Sequence, residues 1–136
     1  LKNEDSGELK ILDAVEGITV LHMDKSFGFF NTLSDAEKAE AQETYARLWD
    51  TVCEKALSGE YDMLVVDEFM AAYHYGLIDH AKSLAFLEKK PKELEVVLTG
   101  RNPDEKLIGL ADYVSEIRKI KHPFDREIRA RRGIEY

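Results

Sequence analysis

The hydrophobic pattern of this chain changes period several times, and each change marks an element. GITVLHM at 17–23 is a short β-branched, apolar run between polar neighbours and predicts a strand. SFGFFNTLSD at 26–35 reads as a loop. Ser34, with Glu37 three residues later, then forms a capping-box signature. Beyond it Tyr45, Leu48, Trp49, Val52, Cys53 and Ala56 recur at helical spacing, predicting an amphipathic helix over 35–58 that Gly59 ends. In YDMLVVDEF at 61–69 the apolar run Met63 to Val66 fits a strand over 61–67 buried on both faces of a parallel sheet. A helix over 79–90 closes before Pro91, LEVVLTG at 94–100 reads as another buried strand, DEKLIGLAD at 104–112 as a short helix, and YVSEIRKI at 113–120 as a strand with alternating faces.

Strands and helices thus alternate along the chain. Such alternation predicts α/β architecture, three layers (α/β/α) around a mostly parallel sheet. At 136 residues, 44% hydrophobic and 10% aromatic, the chain has the material for one domain, 1–136, with a single core. No internal repeat, low-complexity run or linker divides it.

Charge narrows the partners. A net charge of −8 disfavours nucleic acid and the membrane surface, both of which are bound through summed Lys and Arg. The basic residues that do cluster, Arg118, Lys119, Lys121, Arg126, Arg129, Arg131 and Arg132, lie at the carboxyl end and could face an anion or simply solvent. One cysteine, Cys53, excludes an internal disulfide and any multi-cysteine zinc site, and its helical phase places it in the core. No apolar run approaches the roughly 18–20 residues that cross a bilayer, and no signal peptide is recognisable, so the expected compartment is the cytoplasm. The chain begins with Leu1 rather than Met, which leads to the expectation of a trimmed, processed or partly observed piece of a longer protein.

Candidate chemistry gathers where strands end. In a parallel α/β sheet ligands bind outside the carboxyl ends of the strands. One predicted strand ends in Asp67-Glu68 and another in Thr99-Gly100-Arg101. Mg²⁺ takes oxygen ligands and keeps several waters, so one or two carboxylates together with substrate phosphates suffice to hold it. Arg101 would supply a charge-assisted donor to a phosphate oxygen. The alternative is that Asp67 and Glu68 merely cap the helix that follows. A phosphate-cradling G-x-x-x-x-G-K-[ST] loop should accompany such a strand, yet none of the eight glycines lies in one. His22, His74, His80 and His122 show no metal-ligand spacing, although His74 and His80 fall near the strand-tip side; His122, in KHPF, reads as structural.

Several short motifs in fixed order add a resemblance. LTGR, LADYVSEIR, KHPF and the terminal ARRGIEY, preceded by YDMLVVDEF and YHYGLID, resemble the P-loop type of ATP:corrinoid adenosyltransferase, strongly over 60–136 and more loosely over 1–59. The resemblance implies a RecA-like P-loop NTPase fold lacking its first strand and P-loop, with that loop lying before Leu1. It also implies a reaction in which Co(I) of a corrinoid, cobalamin or a precursor, attacks the 5′ carbon of ATP and expels tripolyphosphate.

On that reading Glu68 is the better candidate for the Mg²⁺ ligand, with Asp67 either a second direct ligand or a group held behind the ligands. Arg101 contacts phosphate, and Thr99 is placed at the same phosphate site while shaping the turn. Phe27, Phe29 and Phe30 take the position of a flexible loop that covers the corrinoid, without the Trp the family carries there; the only tryptophan, Trp49, falls on the apolar helix face. FMAAYHY after Glu68 also departs from the family's usual polar residue plus Tyr. A homodimer and a reductase supplying Co(I) are the expected partners, with no nucleic acid and no membrane. Two alternatives remain: a fragment of a RecA-like ATPase, and a catalytically silent corrinoid binder.

Overall fold

The computed structural model describes residues 7–23, 25–28, 30–131 and 134. Its elements run α1 (Gly7–Leu12), a 3₁₀ turn (Phe30–Thr32), α2 (Asp35–Ala56), β1 (Met63–Val66), α3 (Phe69–His74), α4 (His80–Lys89), β2 (Glu95–Leu98), α5 (Glu105–Leu110) and a second 3₁₀ turn (Pro123–Arg126). β1 and β2 pair in parallel, Met63 opposite Glu95 and Val66 opposite Leu98, so their carboxyl ends lie side by side. The architecture is mixed α/β around this two-stranded sheet.

The longest element forms where its cap says it should. Ser34 accepts from the Glu37 backbone N–H at 3.4 Å and the Glu37 carboxylate accepts from the Ser34 N–H at 2.8 Å, closing the box. The Ser34 hydroxyl and then its backbone N–H hold the Glu37 carboxyl below the usual carboxylate range. From there α2 buries one stripe, Ala41, Tyr45, Trp49, Cys53 and Ala56. Trp49 is the hub: its ring lies 5.4 Å from Phe69 at the start of α3 and 5.6 Å from Phe86 in α4. Edge-to-face and tilted pairs of this kind contribute about 0.5–1.5 kcal/mol each beyond the area they bury. Three helices are thereby joined over one face of the sheet, where Leu64, Val66, Val96 and Leu98 pack against them.

Burial has chemical consequences on that stripe. Cys53 lies in the core, and desolvation pushes its thiol up to about 11, which disfavours the thiolate. Burial likewise raises the Tyr45 phenol to about 12. Its hydroxyl, like the Trp49 indole N–H, is buried with no hydrogen-bond partner among the described residues. Replacing Tyr45 by Phe removes an unpaired polar atom and keeps the ring, so stability should rise by about 1 kcal/mol. A fall in the denaturation midpoint would mean that the hydroxyl is satisfied by solvent.

Three sequence expectations change. β1 is apolar throughout and β2 is apolar after Glu95, but Met63 and Val65 are each 58% exposed and Val97 41%, so only one face is covered by described residues. A continuous apolar run shows that a strand suits a buried sheet; it does not say what lies over the second face. The stretches 17–23 and 113–120 are not strands in the described structure. β structure exists only through its ladder, and neither run has a paired neighbour; Tyr113 and Ile117 stand 92% and 99% exposed. The helices of 35–58, 79–90 and 104–112 form with slightly shorter bounds, each behind its own cap: Ser34, Asp79 and Asp104. α3 and α1 are additional.

Candidate functional site

Parallel pairing sets the two strand tips one interstrand spacing apart, about 4.8 Å. Immediately beyond them the backbones diverge. After β1, Glu68 adopts φ 56°, ψ 26°, the left-handed region, and α3 starts at the next residue. A non-glycine residue there costs on the order of 1 kcal/mol or more and persists only where its surroundings impose it. After β2, Gly100 takes φ 139° and Asn102 φ 54°, which turns the chain at Arg101.

Thr99 is what joins the two tips. Its hydroxyl donates to Asp67 Oδ1 at 2.6 Å and accepts from the Glu68 N–H at 3.1 Å. The Thr99 N–H donates to the Val66 carbonyl at 3.1 Å, and the Thr99 carbonyl accepts from the Met70 N–H at 3.3 Å. Four bonds from one residue therefore tie β2 to the β1–α3 corner. Gly100 completes the seat: a Cβ there would lie 2.6 Å from Met70 Cβ and 2.8 Å from Met70 Cγ. Only a residue without a side chain lets the two backbones approach this closely.

The side chains of the tips differ in their freedom. Asp67 is held by Thr99. Glu68 and Arg101 are exposed, and neither side chain forms a hydrogen bond or ion pair among the described residues. The donor set fits a hard cation: one free carboxylate and one oriented carboxylate at a strand end, open to solvent and to a polyanion. No cluster of three or more His, Cys, Asp or Glu able to hold a metal by itself occurs among the described residues, so water and phosphate oxygens would have to complete the shell.

The phenylalanines lie elsewhere. Phe27 is half-buried, its ring 6.5 Å from Tyr45 and Lys25 Nζ 5.0 Å above it. Phe30 packs against Tyr75, the ring centroids 4.7 Å apart and the planes tilted by 32°. Phe29 lies outside the described residues. Tyr75 caps the carboxyl end of α3, whereas Glu68 precedes its first residue. Six residues of α-helix span about 9 Å, so the aromatic loop and the acidic tip flank opposite ends of the same short helix. An open groove of about 570 Å³ adjoins the carboxyl end of α3, lined by Gln42, Gly76, Leu77, Asp79 and His80 among others. The His80 ring is stacked on Tyr73, with ring centroids 3.8 Å apart, and its Nε2 lies 2.6 Å from the Tyr73 carbonyl oxygen. His122 Nδ1 accepts from the Phe124 N–H at 3.1 Å and caps the second 3₁₀ turn.

The acids, Thr99 and Arg101, singled out in the sequence, lie at two adjacent strand tips; the Gly100–Met70 approach and the Phe30–Tyr75 contact were not foreseen. A glycine directly after a strand-end Thr was the available signal for the first. Nothing local points to the second.

The fold and these tips define a mixed α/β protein whose two parallel strands end side by side, with the Glu68 and Arg101 side chains free of hydrogen bonds and ion pairs among the described residues. Over its whole length, residues 1–136, the chain matches the family described as ATP:corrinoid adenosyltransferase BtuR/CobO/CobP, and it belongs to that family. A corrinoid adenosyltransferase of Sinorhizobium sp is 42% identical over 91 residues, which cover 66% of this chain and 42% of that protein. The corrinoid adenosyltransferase of Escherichia coli (strain K12) is 29% identical over 133 residues, 96% of this chain and 64% of that protein. A corrinoid adenosyltransferase named CobA, from Salmonella typhimurium, is 39% identical over 77 residues, 55% of this chain and 38% of that protein. The chain thus spans less than two thirds of the length of each of these relatives.

Proposed function

We propose that the protein transfers the 5′-deoxyadenosyl group of ATP to Co(I) of a corrinoid, releasing tripolyphosphate. The observation that carries this reading is the family match along the entire chain, with the Asp67-Glu68 and Thr99-Gly100-Arg101 tips brought side by side in parallel register. In the reaction a cobalt–carbon bond forms with the cobalt electron pair, the C5′–O bond breaks, and its pair leaves on tripolyphosphate. No proton need move, so the protein's work is to position the reactants, neutralise charge and exclude water.

Glu68, with Asp67 behind it, would hold Mg²⁺; the ion would supply charge to the leaving phosphates. Arg101, without a partner among the described residues and next to that tip, donates to a phosphate oxygen. Phe27 and Phe30, with Phe29 between them in sequence, cover the corrinoid from the far end of α3. The finer architecture that accompanies this function is the three-layer, RecA-like P-loop fold, with further layers over Met63, Val65 and Val97. A homodimer, a reductase that delivers Co(I), and a cytoplasmic setting belong to the same proposal. No described helix is long and apolar enough to cross a membrane.

The test is an adenosylation assay with the complete gene product, a Co(I) corrinoid, ATP and Mg²⁺ under strict reduction. Adenosylcorrinoid in the visible spectrum together with tripolyphosphate is the expected result. Corrinoid bound without turnover would replace this reading by a silent binder, and ATP hydrolysis stimulated by nucleic acid would replace it by a RecA-like ATPase.

A further inference from the structure

We infer that Thr99 is a positioning residue: its hydroxyl fixes Asp67 and the left-handed backbone of Glu68 so that the Glu68 carboxylate is presented to the metal, and it does not itself bind phosphate. The inference rests on the reading of Glu68 as the Mg²⁺ ligand.

The donor inventory carries the argument. A threonine side chain has one O–H to donate and two lone pairs. The O–H is committed to Asp67 Oδ1 at 2.6 Å, and one lone pair accepts the Glu68 N–H at 3.1 Å. The backbone N–H of Thr99 is committed to the Val66 carbonyl. Ionised phosphate oxygens only accept, so what remains of Thr99, a lone pair, offers them nothing. Binding phosphate would require releasing Asp67, and with it the acid next to the proposed ligand. Arg101, by contrast, has every guanidinium N–H free of partners among the described residues and is the donor for phosphate.

The same geometry explains why Glu68 needs holding. At φ 56° it sits where a non-glycine residue does not rest by choice, and its side chain forms no hydrogen bond or ion pair among the described residues that would set its direction. Its N–H is pinned by the Thr99 hydroxyl. The following turn is pinned by the Met70 N–H on the Thr99 carbonyl, with Met70 seated on Gly100. Removing the hydroxyl takes away the Thr99 bond to Asp67 Oδ1 and leaves the Glu68 N–H to water. The backbone can then leave the left-handed region, carrying the carboxylate away from the neighbouring strand tip.

Mn²⁺ binding in the presence of ATP, read by electron paramagnetic resonance on the complete gene product, tests this apart from corrinoid chemistry. Thr99→Val, which keeps the shape and removes the hydroxyl, should weaken Mn²⁺ binding by about 10–100-fold, the range seen when a partner that orients a metal ligand is lost. Thr99→Ala should do the same should valine disturb the fold, and Thr99→Ser should stay within about threefold of the wild type. Because Thr99 acts through Glu68, adding Thr99→Val to Glu68→Ala should change binding by less than about twofold. The KM for corrinoid should not move.

Wild-type Mn²⁺ affinity in Thr99→Val, or equal losses in Thr99→Val and Thr99→Ser, would overturn the inference, as would full additivity with Glu68→Ala. If Mn²⁺ and ATP bind as described but no adenosylcorrinoid forms, the proposed reaction fails and the positioning role stands. If adenosylcorrinoid forms equally with Thr99→Val, the reaction stands and the positioning role fails.

Discussion

Replacing Glu68 by Ala in the complete protein is expected to reduce adenosylcorrinoid formation by more than about 100-fold, since loss of a metal ligand should exceed the roughly 10–100-fold typical of losing the groups behind one. The loss should appear in the dependence on Mg²⁺ and ATP rather than in corrinoid binding, because the described aromatic rings of the loop, Phe27 and Phe30, lie against Tyr45 and Tyr75 rather than against the acidic tip. Stability should not fall with activity. The Glu68 side chain forms no hydrogen bond or ion pair among the described residues, so truncation removes no intramolecular polar contact. Glu68→Gly should go further: glycine accepts φ 56° without steric cost, and relief of the strain should raise the unfolding free energy by up to about 1 kcal/mol. A stabilised but inactive Glu68→Gly variant would identify the strain as a functional cost. Wild-type activity in either variant would remove Glu68 from the metal site and send the search to Asp67.

Gly100→Ala should be the most destabilising single-methyl change at the site. The added Cβ would sit 2.6 Å from Met70 Cβ, 2.8 Å from Met70 Cγ and 3.1 Å from the Met70 backbone nitrogen, at a φ of 139°. Met70 Cβ cannot swing aside as a side-chain end would, because its position is fixed by the first turn of α3. Overpacking of this kind costs about 1–3 kcal/mol, and the unsuitable φ adds to it, so a total of about 2–4 kcal/mol is expected. Thermal or urea unfolding measures it directly. The relief must come from parting β2 and α3, which stretches the Met70 N–H bond to Thr99 and disturbs Glu68 with it. Activity should therefore fall more steeply than the folded fraction. A midpoint within a degree of wild type would mean that the corner is looser than this packing.

Much of this protein was legible without coordinates. The capping box at Ser34 and Glu37, the stripe from Tyr45 to Ala56, the two apolar strands and the acids after the first of them are local signals. Each depends on residues within one or two turns of one another. Chain chemistry alone sets them: a capped amphipathic segment forms a helix, and a β-branched apolar run forms a strand that seeks cover. The motifs from LTGR to ARRGIEY carried the family for the same reason, being short and ordered.

What the sequence could not decide depends on partners distant in the chain. Alternation in YVSEIRKI is compatible with a strand, yet β structure requires a neighbour's ladder, and none of the described residues provides it. The two faces of β1 are both apolar in sequence, and Glu95 alone marks the outer face of β2; packing of the helical core on Leu64, Val66, Val96 and Leu98 decides which face is covered. Thr99 reads in one dimension as a polar residue near a phosphate site. Only the parallel register, which sets it against Asp67 and Glu68 across 32 and 31 residues of chain, commits its single donor to an acid and turns it into the support of another residue.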